Sequence, residues 1–514
     1  MAPSRRCVLL LAGSVLLPGL APAQDFAAKG FKLGPTSPRE ASAEDLAAGK
    51  ALYGDLCSQC HGEEGDGQGV MADLLHPRPR DFRRGIYKIR RTPQGELPTN
   101  EDLFRIVANG MPGSSMPTWR GLLTDAQIWQ LVDYIKSFSP DFVDYPPEKQ
   151  FLLGGQPDPT PESLERGAQV YEKAECAKCH GEGGRGNGPS AAELEDEWEF
   201  RINPADLTQP WTLRGGASVE DLFRTLTTGV NGTPMPSFSD AWSAEDLWHL
   251  ANYVQSLGRE PIWGEIVRAR KTDAVPEDPF APAWDQAPPL DVRLAGQITQ
   301  EPRLFNPSVQ GLTVQALFDE QELALLLTWN DRFENQGGEE EPSDRVSVFF
   351  PAQMEEGAKP YFLMGDRKRP VDGWQWTAGG GIGTVLARGM DAVTPRRSRV
   401  KGAGQYRDGQ FRVVLRRSLR AAGDDEVEFS PGRMIPIAWN VWDGQNGEVG
   451  KRRAISRWYY LLLEPDTPWT TWLWPLAVVF LTAGGEAIAL RRLRQHWANQ
   501  EQPGATELRE ASVS

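Results

Sequence analysis

The spacing of hydrophobic residues changes near residue 258. Before that point apolar positions recur every three or four residues, as in Ile128, Leu131, Val132 and Ile135, which would share one buried helix face. An opening helix should begin after Ser42, a good N-cap residue. After residue 258 the pattern changes to short β-prone runs separated by Gly, Asp and Pro clusters, at 312–319, 322–331, 344–350, 411–419, 434–444 and 456–464. The pattern therefore predicts all-α domains followed by an antiparallel β-sandwich, with "RDGQ" and "WDGQNGE" as turns.

Both ends of the chain contain long apolar stretches. Residues 1–23 have a basic start, an apolar run and a small-residue cleavage site, which predicts a signal peptide. Residues 469–490 are long enough to form one transmembrane helix, with tryptophans at one end and "RRLR" at the other. A helix buried against a partner is the alternative. The preferred prediction is a protein on the periplasmic side of the inner membrane, in contact with lipid, with residues 491–514 as a cytoplasmic tail.

Composition limits the classes of partner. The 514 residues are too many for a single core, so about three domains are expected. The net charge is −15 and the pI about 5.1, which argues against a nucleic-acid partner because such a partner requires a basic face.

Three sequence blocks occur twice. "CSQCHGEEGDGQG" matches "CAKCHGEGGRGNG", "EDLFRIVANGMPGSSMPTW" matches "EDLFRTLTTGVNGTPMPSF", and "TDAQIWQLVDYIKSF" matches "SAEDLWHLANYVQSL", each at an offset of 119 (176 − 57, 220 − 101, 243 − 124). A constant offset indicates tandem domains. We therefore divide the chain into a first domain at 43–140, a linker at 141–160, a second domain at 161–258 and the β-rich domain at 262–465.

Each copy contains a CxxCH motif, the signature of covalent c-type haem attachment. Two thioethers would fix the porphyrin and the adjacent histidine would bind iron. The predicted attachment residues are Cys57, Cys60 and His61 in the first copy and Cys176, Cys179 and His180 in the second. The alternative, a disulfide protein with chance motifs, does not account for the duplication.

A methionine in each copy is the expected sixth iron ligand. Met116 and Met235 each follow their histidine by 55 residues (116 − 61, 235 − 180) and precede a proline. Met111 is the rival in the first copy, but its counterpart is Val230, so we assign Met111 to packing. We assign His76 and His249 to structural roles.

This arrangement resembles class I cytochrome c over about residues 43–257. Ligation by histidine and methionine raises the reduction potential and fills both axial positions. A filled iron offers no place for substrate, so the expected role is electron transfer with no catalytic residue.

Segments of the β-rich region, including "LLLTWNDRFEN", "PYFLMGD", "IAWNVWDG" and "AISRWYYLLL", resemble the haem-binding domain of ethylbenzene dehydrogenase gamma subunits. Its relatives serve dimethylsulfide dehydrogenase, selenate reductase and chlorate reductase. The resemblance implies a non-covalent haem b between a methionine and a lysine, and partnership with a molybdopterin catalytic subunit and an iron–sulfur subunit. The methionine falls on Met364. The closest register puts Arg453 at the lysine position, with Lys451 two residues earlier, so Lys451 is the candidate ligand; an empty sandwich that docks a partner is the alternative.

Together these features predict a membrane-anchored periplasmic cytochrome with two haems c and a haem b. It would transfer electrons between a molybdopterin oxidoreductase of nitrate, nitrite, ethylbenzene or selenate type and the respiratory chain. Two alternatives stay open. One is a free-standing di-haem cytochrome that serves a terminal oxidase through soluble or membrane cytochromes. The other is an enzyme whose third domain binds substrate.

Overall fold

The structure is a computed structural model that describes residues 26–338, 342–355, 358–465, 471 and 473–500. The predicted signal peptide, Trp469 and Trp472 lie outside these residues.

Helices provide nearly all the regular structure between residues 36 and 258. They are α1 (Ala43–Leu56), α2 (Ser58–His61), α3 (Asn100–Asn109), α4 (Asp125–Lys136), α5 (Asp141–Asp144), α6 (Pro161–Lys173), α7 (Ala177–His180), α8 (Val219–Thr228) and α9 (Ala244–Leu257). The Ser42 hydroxyl accepts from the Asp45 amide, which confirms the predicted start of α1. The predicted inner face of α4 is buried, from Ile128 to Ile135.

Two glycines allow the first and last helices of each copy to cross at close range. A Cβ at Gly49 of α1 would lie 2.1 Å from the Gln130 carbonyl oxygen of α4. A Cβ at Gly167 of α6 would lie 2.2 Å from the His249 carbonyl oxygen of α9. The same contact therefore organises both copies.

The segment before α1 joins the two helical regions. Strand β1 (Leu33–Pro35) pairs with β2 (Lys149–Phe151), which lies in the stretch assigned to a linker. Phe31 packs on Phe151 and on Phe223 of α8, so this segment contributes to the core of the second copy.

The β-rich region forms two sheets joined through one long strand. Its strands are β3 (Ile266–Lys271), β4 (Leu290–Arg293), β5 (Ala295–Gly296), β6 (Gly311–Phe318), β7 (Glu322–Asn330), β8 (Arg345–Pro351), β9 (Val371–Thr377), β10 (Gly381–Ala387), β11 (Val393–Arg396), β12 (Lys401–Arg407), β13 (Gln410–Ser418), β14 (Met434–Trp442), β15 (Ala454–Ile455) and β16 (Tyr459–Leu463). The order is β11-β10-β9-β8-β14-β16-β3-β6-β7-β13-β12. One large core fills the space between the sheets, with Trp329, Trp374 and Trp439 among its fully buried side chains.

The sheets depart from the prediction in one respect. Most pairs are antiparallel, but β3 runs parallel to both β16 and β6. Strand β3 enters directly after the second helical copy, and no hairpin connects it to either neighbour. Because a hairpin is what forces neighbouring strands to be antiparallel, β3 is free to take the parallel direction.

The last described element is α10 (Leu473–Gln500). Residues Leu473–Ala498 are long and apolar enough to cross a membrane, with a mean hydropathy of 1.7, and this stretch is not buried against the rest of the chain. The helix continues through the basic "RRLR" segment that we assigned to the tail.

Candidate haem sites

The first CxxCH motif lies where α1 passes into α2. Cys57 and Cys60 form no disulfide, and burial raises the pKa of the Cys57 thiol to about 12. The His61 Nδ1 lies 3.1 Å from the Arg80 carbonyl oxygen, and its ring stacks on Phe82 at 4.5 Å. Because Nδ1 is engaged by a carbonyl, Nε2 is the nitrogen left to bind iron. Burial also lowers the pKa of His61, which favours the neutral ligand form.

The second motif repeats this geometry around His180. Its Nδ1 lies 3.0 Å from the Ala205 carbonyl oxygen. In both copies a tyrosine of the preceding helix donates to the glycine carbonyl after the histidine, Tyr53 at 2.8 Å and Tyr171 at 2.7 Å. The second copy has one extra residue between tyrosine and cysteine, and Glu175 absorbs it in a left-handed conformation with φ 58°. The hydrogen bond from tyrosine to the glycine carbonyl is therefore the same in both copies despite the extra residue.

The two methionine loops also have the same backbone. The Met111 amide donates to the Met116 carbonyl, and the Val230 amide donates to the Met235 carbonyl, both at 3.1 Å. Met111 and Val230 thus share a backbone position that does not depend on sulfur. Met116 and Met235 are both half-buried, and their assignment as the sixth iron ligands stays a prediction.

A cavity of about 1290 Å³ surrounds the second motif. Cys176, Cys179, His180 and Met235 all line it. Its walls come from all three domains: residues 73–89 and 111–115 of the first copy, residues of the second copy, and residues 294–310, 330–333 and 443–452 of the sandwich. The second haem site therefore lies where the two helical copies and the sandwich meet.

Three cationic side chains from different domains meet at this cavity. Lys88, Arg214 and Arg332 line it together with His76. Burial, with Arg80 and Arg214 nearby, lowers the pKa of Lys88 to about 7, and burial with Arg332 nearby lowers the pKa of Arg214. The Nε of Arg332 is buried without a hydrogen-bond partner. Such a set fits the two carboxylates of a haem.

These residues fit haem c. The thiols form no disulfide, each histidine is oriented by a carbonyl, and the second site has both a cavity and a group of three cationic side chains in its wall. In the first copy the same residues are in place, and Arg80 links it to the second copy because its guanidinium stacks on Trp198 at 4.4 Å. Covalently held haem would supply one-electron redox chemistry at each position.

The third domain differs from the ligand pair that the resemblance implied. The Met364 sulfur accepts a hydrogen bond from Nη2 of Arg453 at 2.8 Å, and both side chains are buried. Arg453 also lies 5.1 Å from the centre of the Trp442 ring. Burial lowers the pKa of Arg453 to about 10, so it stays protonated at neutral pH and cannot coordinate iron.

Lys451 is engaged by an acidic side chain. Its Nζ forms an ion pair with Asp391 at 2.5 Å. In this structure Met364 is bonded to Arg453 and Lys451 to Asp391, and the Met/Lys pair for haem b stays a prediction.

Two further histidines, assigned to structural roles, have distinct surroundings. The His249 Nδ1 lies 2.7 Å from the Ser163 hydroxyl, a contact between α9 and α6. His76 lies at the cavity wall, and burial lowers its pKa. Sequence analysis missed the set of Lys88, Arg214 and Arg332, because these residues are far apart in the chain and share no motif.

Comparison with known families agrees with this division. Residues 44–135 match the family described as cytochrome c oxidase, cbb3-type, subunit III, and residues 164–258 match cytochrome c. Residues 281–394 and 382–454 match ethylbenzene dehydrogenase.

Several curated proteins are similar to this chain. A protein of Haloferax mediterranei named as a respiratory nitrate reductase heme subunit is 28% identical over 39% of this chain and 75% of its own length. The chlorate reductase subunit gamma of Ideonella dechloratans is 29% identical over 36% of this chain and 78% of its own. The cbb3-type cytochrome c oxidase subunit FixP of Azorhizobium caulinodans is 28% identical over 41% of this chain and 59% of its own.

Among solved structures, a reducing HAO-like protein complex of Kuenenia stuttgartiensis is 43% identical over 43% of this chain and 99% of that chain, with a TM-score of 0.41. The family matches and the two CxxCH motifs together identify the chain as two cytochrome c domains followed by a domain of the ethylbenzene dehydrogenase family.

Proposed function

We propose that this protein is a membrane-anchored electron-transfer subunit that carries electrons between a molybdopterin oxidoreductase and the respiratory chain. The observation that carries the proposal is the cavity at His180, because all three soluble domains contribute to its wall. A partner that docks on the sandwich would then be close to a haem in the second copy. The similarity to nitrate and chlorate reductase subunits supports a molybdenum enzyme as that partner.

The interface between the two cytochrome domains supports direct transfer between haems. Arg105 pairs with Asp221 at 2.9 Å, and Arg90 donates to the Thr228 carbonyl at 2.8 Å. A Cβ on Gly113, in the first methionine loop, would lie 2.4 Å from the Thr212 carbonyl oxygen. The first methionine loop is therefore packed against the domain that holds the second site.

In the proposed subunit, electrons pass through the two covalent haems only. The finer prediction of a haem b depends on Met364 and Lys451, and their surroundings do not favour it. The sandwich then acts as the docking module of the proposed subunit, and α10 as its membrane anchor with the preceding domains on the periplasmic side. An iron–sulfur subunit between the molybdenum centre and this chain is part of the same proposal.

Affinity purification of the full-length chain from native membranes tests this function. Molybdenum should co-purify in a fixed ratio to haem, and the substrate of the molybdenum enzyme should change the haem oxidation state. A preparation with both haems and no molybdenum would contradict the proposal.

One second candidate has specific support. Residues 44–135 match a cbb3 oxidase subunit family, which favours a free-standing cytochrome that feeds a terminal oxidase. In that case the reduced chain would be oxidised rapidly by oxidase-containing membranes from a strain that lacks the molybdenum enzyme.

A further inference from the structure

Three aspartates meet at the end of the sandwich that faces the second haem site. Asp331 follows β7, Asp344 precedes β8 and Asp443 follows β14. All three are buried, with exposed fractions of 4%, 0% and 5% respectively. One carboxylate oxygen of each lies within 4.8 Å of the others. Strands from both sheets therefore bring three acids to one buried point.

Within the described part of the chain, no Lys, Arg or His side chain forms an ion pair with these aspartates. Asp344 accepts only backbone donors, the Asn335 amide at 2.6 Å and the Gly444 amide at 2.8 Å. The Oδ1 of Asp331 accepts from the Phe333 amide at 3.3 Å, whereas its buried Oδ2 has no donor at hydrogen-bond geometry among the described residues. The Trp329 side chain lies close enough to lower the pKa of this carboxyl without forming such a bond. Arg332 is the nearest cation, and its charge interacts with those of Asp331 and Asp443 without forming an ion pair with either. Its Nε would lie 3.2 Å from a Cβ at Gly186, so the side chain extends toward the second cytochrome domain.

A group of buried acids needs protons or a cation. Burial, together with Asp443 and Asp344, raises the pKa of Asp331 well above its usual range, and burial raises the pKa of Asp344 to about 7. Protonation would neutralise these acids one carboxyl at a time, and the Asp331 Oδ2 lacks a hydrogen-bond partner among the described residues. A bound cation would satisfy that oxygen and neutralise its neighbours at once.

We propose that Asp331, Asp344 and Asp443 bind one calcium ion that joins the two sheets of the sandwich. All the ligand atoms are carboxylate oxygens, which hard divalent cations prefer. Magnesium gives up its water reluctantly and usually keeps several water ligands, whereas calcium accepts a set of ligands supplied by the protein. Because all three carboxylates are buried, calcium is the better match.

The site is connected to the second haem site by one residue. Asn330, next to Asp331, donates to the Asp206 carboxylate at 2.7 Å and to the Thr208 hydroxyl at 2.8 Å. Asp206 follows Ala205, whose carbonyl oxygen orients His180. An ion at Asp331 would therefore hold the sandwich against the loop that positions the haem ligand.

The test uses the full-length holoprotein in detergent. It is stripped with a chelator, passed through gel filtration and titrated with calcium chloride alone, with metal content measured by mass spectrometry. Wild type should bind one calcium that Asp331→Asn, Asp344→Asn and Asp443→Asn each weaken by at least about tenfold, since affinity depends on ligand charge. The melting temperature should rise with calcium in wild type, and far less in Asp331→Asn. Asp424→Asn, at an exposed position, is the matched control and should behave as wild type.

Asp331→Asn is the decisive variant because its Oδ2 makes no hydrogen bond that folding would lose. Unchanged haem absorption in this variant shows that it has folded. If wild type binds no calcium, or if the folded Asp331→Asn protein binds it as tightly as wild type, the acids hold protons and the proposal is wrong. Tighter binding of magnesium than of calcium would also overturn it.

Discussion

The sulfur of Met364 and the guanidinium of Arg453 are in direct contact, 2.8 Å apart, inside the third domain. Met364 has a left-handed backbone with φ 63°, and the Gly389 amide donates to its carbonyl at 3.0 Å. The methionine position of the family is thus retained, and the residue opposite it is a permanent cation.

We expect the purified wild-type chain to contain two haems c and no haem b, because arginine cannot give up a proton to coordinate iron. Pyridine extraction and a reduced-minus-oxidised spectrum measure this directly. Met364→Leu should leave both unchanged, since its role would be packing. Arg453→Lys places an amine opposite the sulfur and should allow a b-type signal when haem is supplied. A b-type signal in wild type would contradict this view.

Replacing Met116 or Met235 with alanine should lower the midpoint potential of one haem and allow its ferrous form to bind carbon monoxide. The reason is that loss of the thioether opens an axial position and removes the ligand that raises the potential. Redox titration and carbon monoxide difference spectra are the measurements. Met111→Leu is the control, because its backbone counterpart in the second copy is Val230, and it should change neither.

Gly49→Ala should destabilise the first domain by about 1–3 kcal/mol, because the new methyl group would overlap the α4 backbone. Gly54→Ala lies on the same helix, where a Cβ would meet nothing within 4 Å. It should be neutral or stabilise by up to about 1 kcal/mol. Thermal unfolding followed at the haem absorption compares the two. Equal melting temperatures of the two variants would show that α1 can move away from α4 without loss of stability.

Asp291→Asn should weaken the attachment of the sandwich to the segment after α9. Arg259 pairs with both oxygens of Asp291 at 2.6 Å. Burial acts to raise the pKa of Asp291, but the bonds from Arg259 and Thr313 outweigh it and the pKa is lowered. The pKa of Asp291 is lower in the folded than in the unfolded state. The stabilisation that its ionised form provides is therefore fully present above the unfolded pKa of about 3.9, and it is lost as pH falls through the folded pKa.

Thermal unfolding from pH 7 to pH 3 measures this contribution. The variant should be less stable than wild type at pH 7 by about 1–3 kcal/mol, and the difference should shrink at the acid end. Asp273→Asn, at an exposed position, should follow the wild-type curve. A difference that is constant with pH would show that Asp291 acts through packing instead.

Local sequence signals predicted the parts of the structure that depend on neighbouring residues. The duplicated motifs located His61 and His180 in matching environments, and the Ser42 cap and the β-prone runs gave their elements correctly. Strands β9, β10 and β12 were missed because glycine interrupts them. One of these glycines is required by packing, since a Cβ at Gly404 would lie 2.3 Å from the Trp376 ring.

Features built from distant segments had no local signal. Lys88, Arg214 and Arg332 are each unremarkable in sequence, and only the docking of three domains brings them to one cavity. Asp331, Asp344 and Asp443 likewise lie far apart in the sequence and meet only because β7, β8 and β14 each have one end at the same point of the sandwich. The length of α10 was underestimated because the helix continues past the apolar residues into arginines, which are good helix formers.

The carbonyl that accepts a hydrogen bond from His61 lies 19 residues further along the chain, whereas the carbonyl that accepts from His180 lies 25 residues further. The longer segment includes Trp198, which stacks on Arg80 of the other copy. Arg80 therefore contacts both copies at once: its carbonyl oxygen accepts from His61 of the first, and its guanidinium lies over the Trp198 ring of the second. The orientation of the first histidine thus depends on a residue that the second copy holds in place.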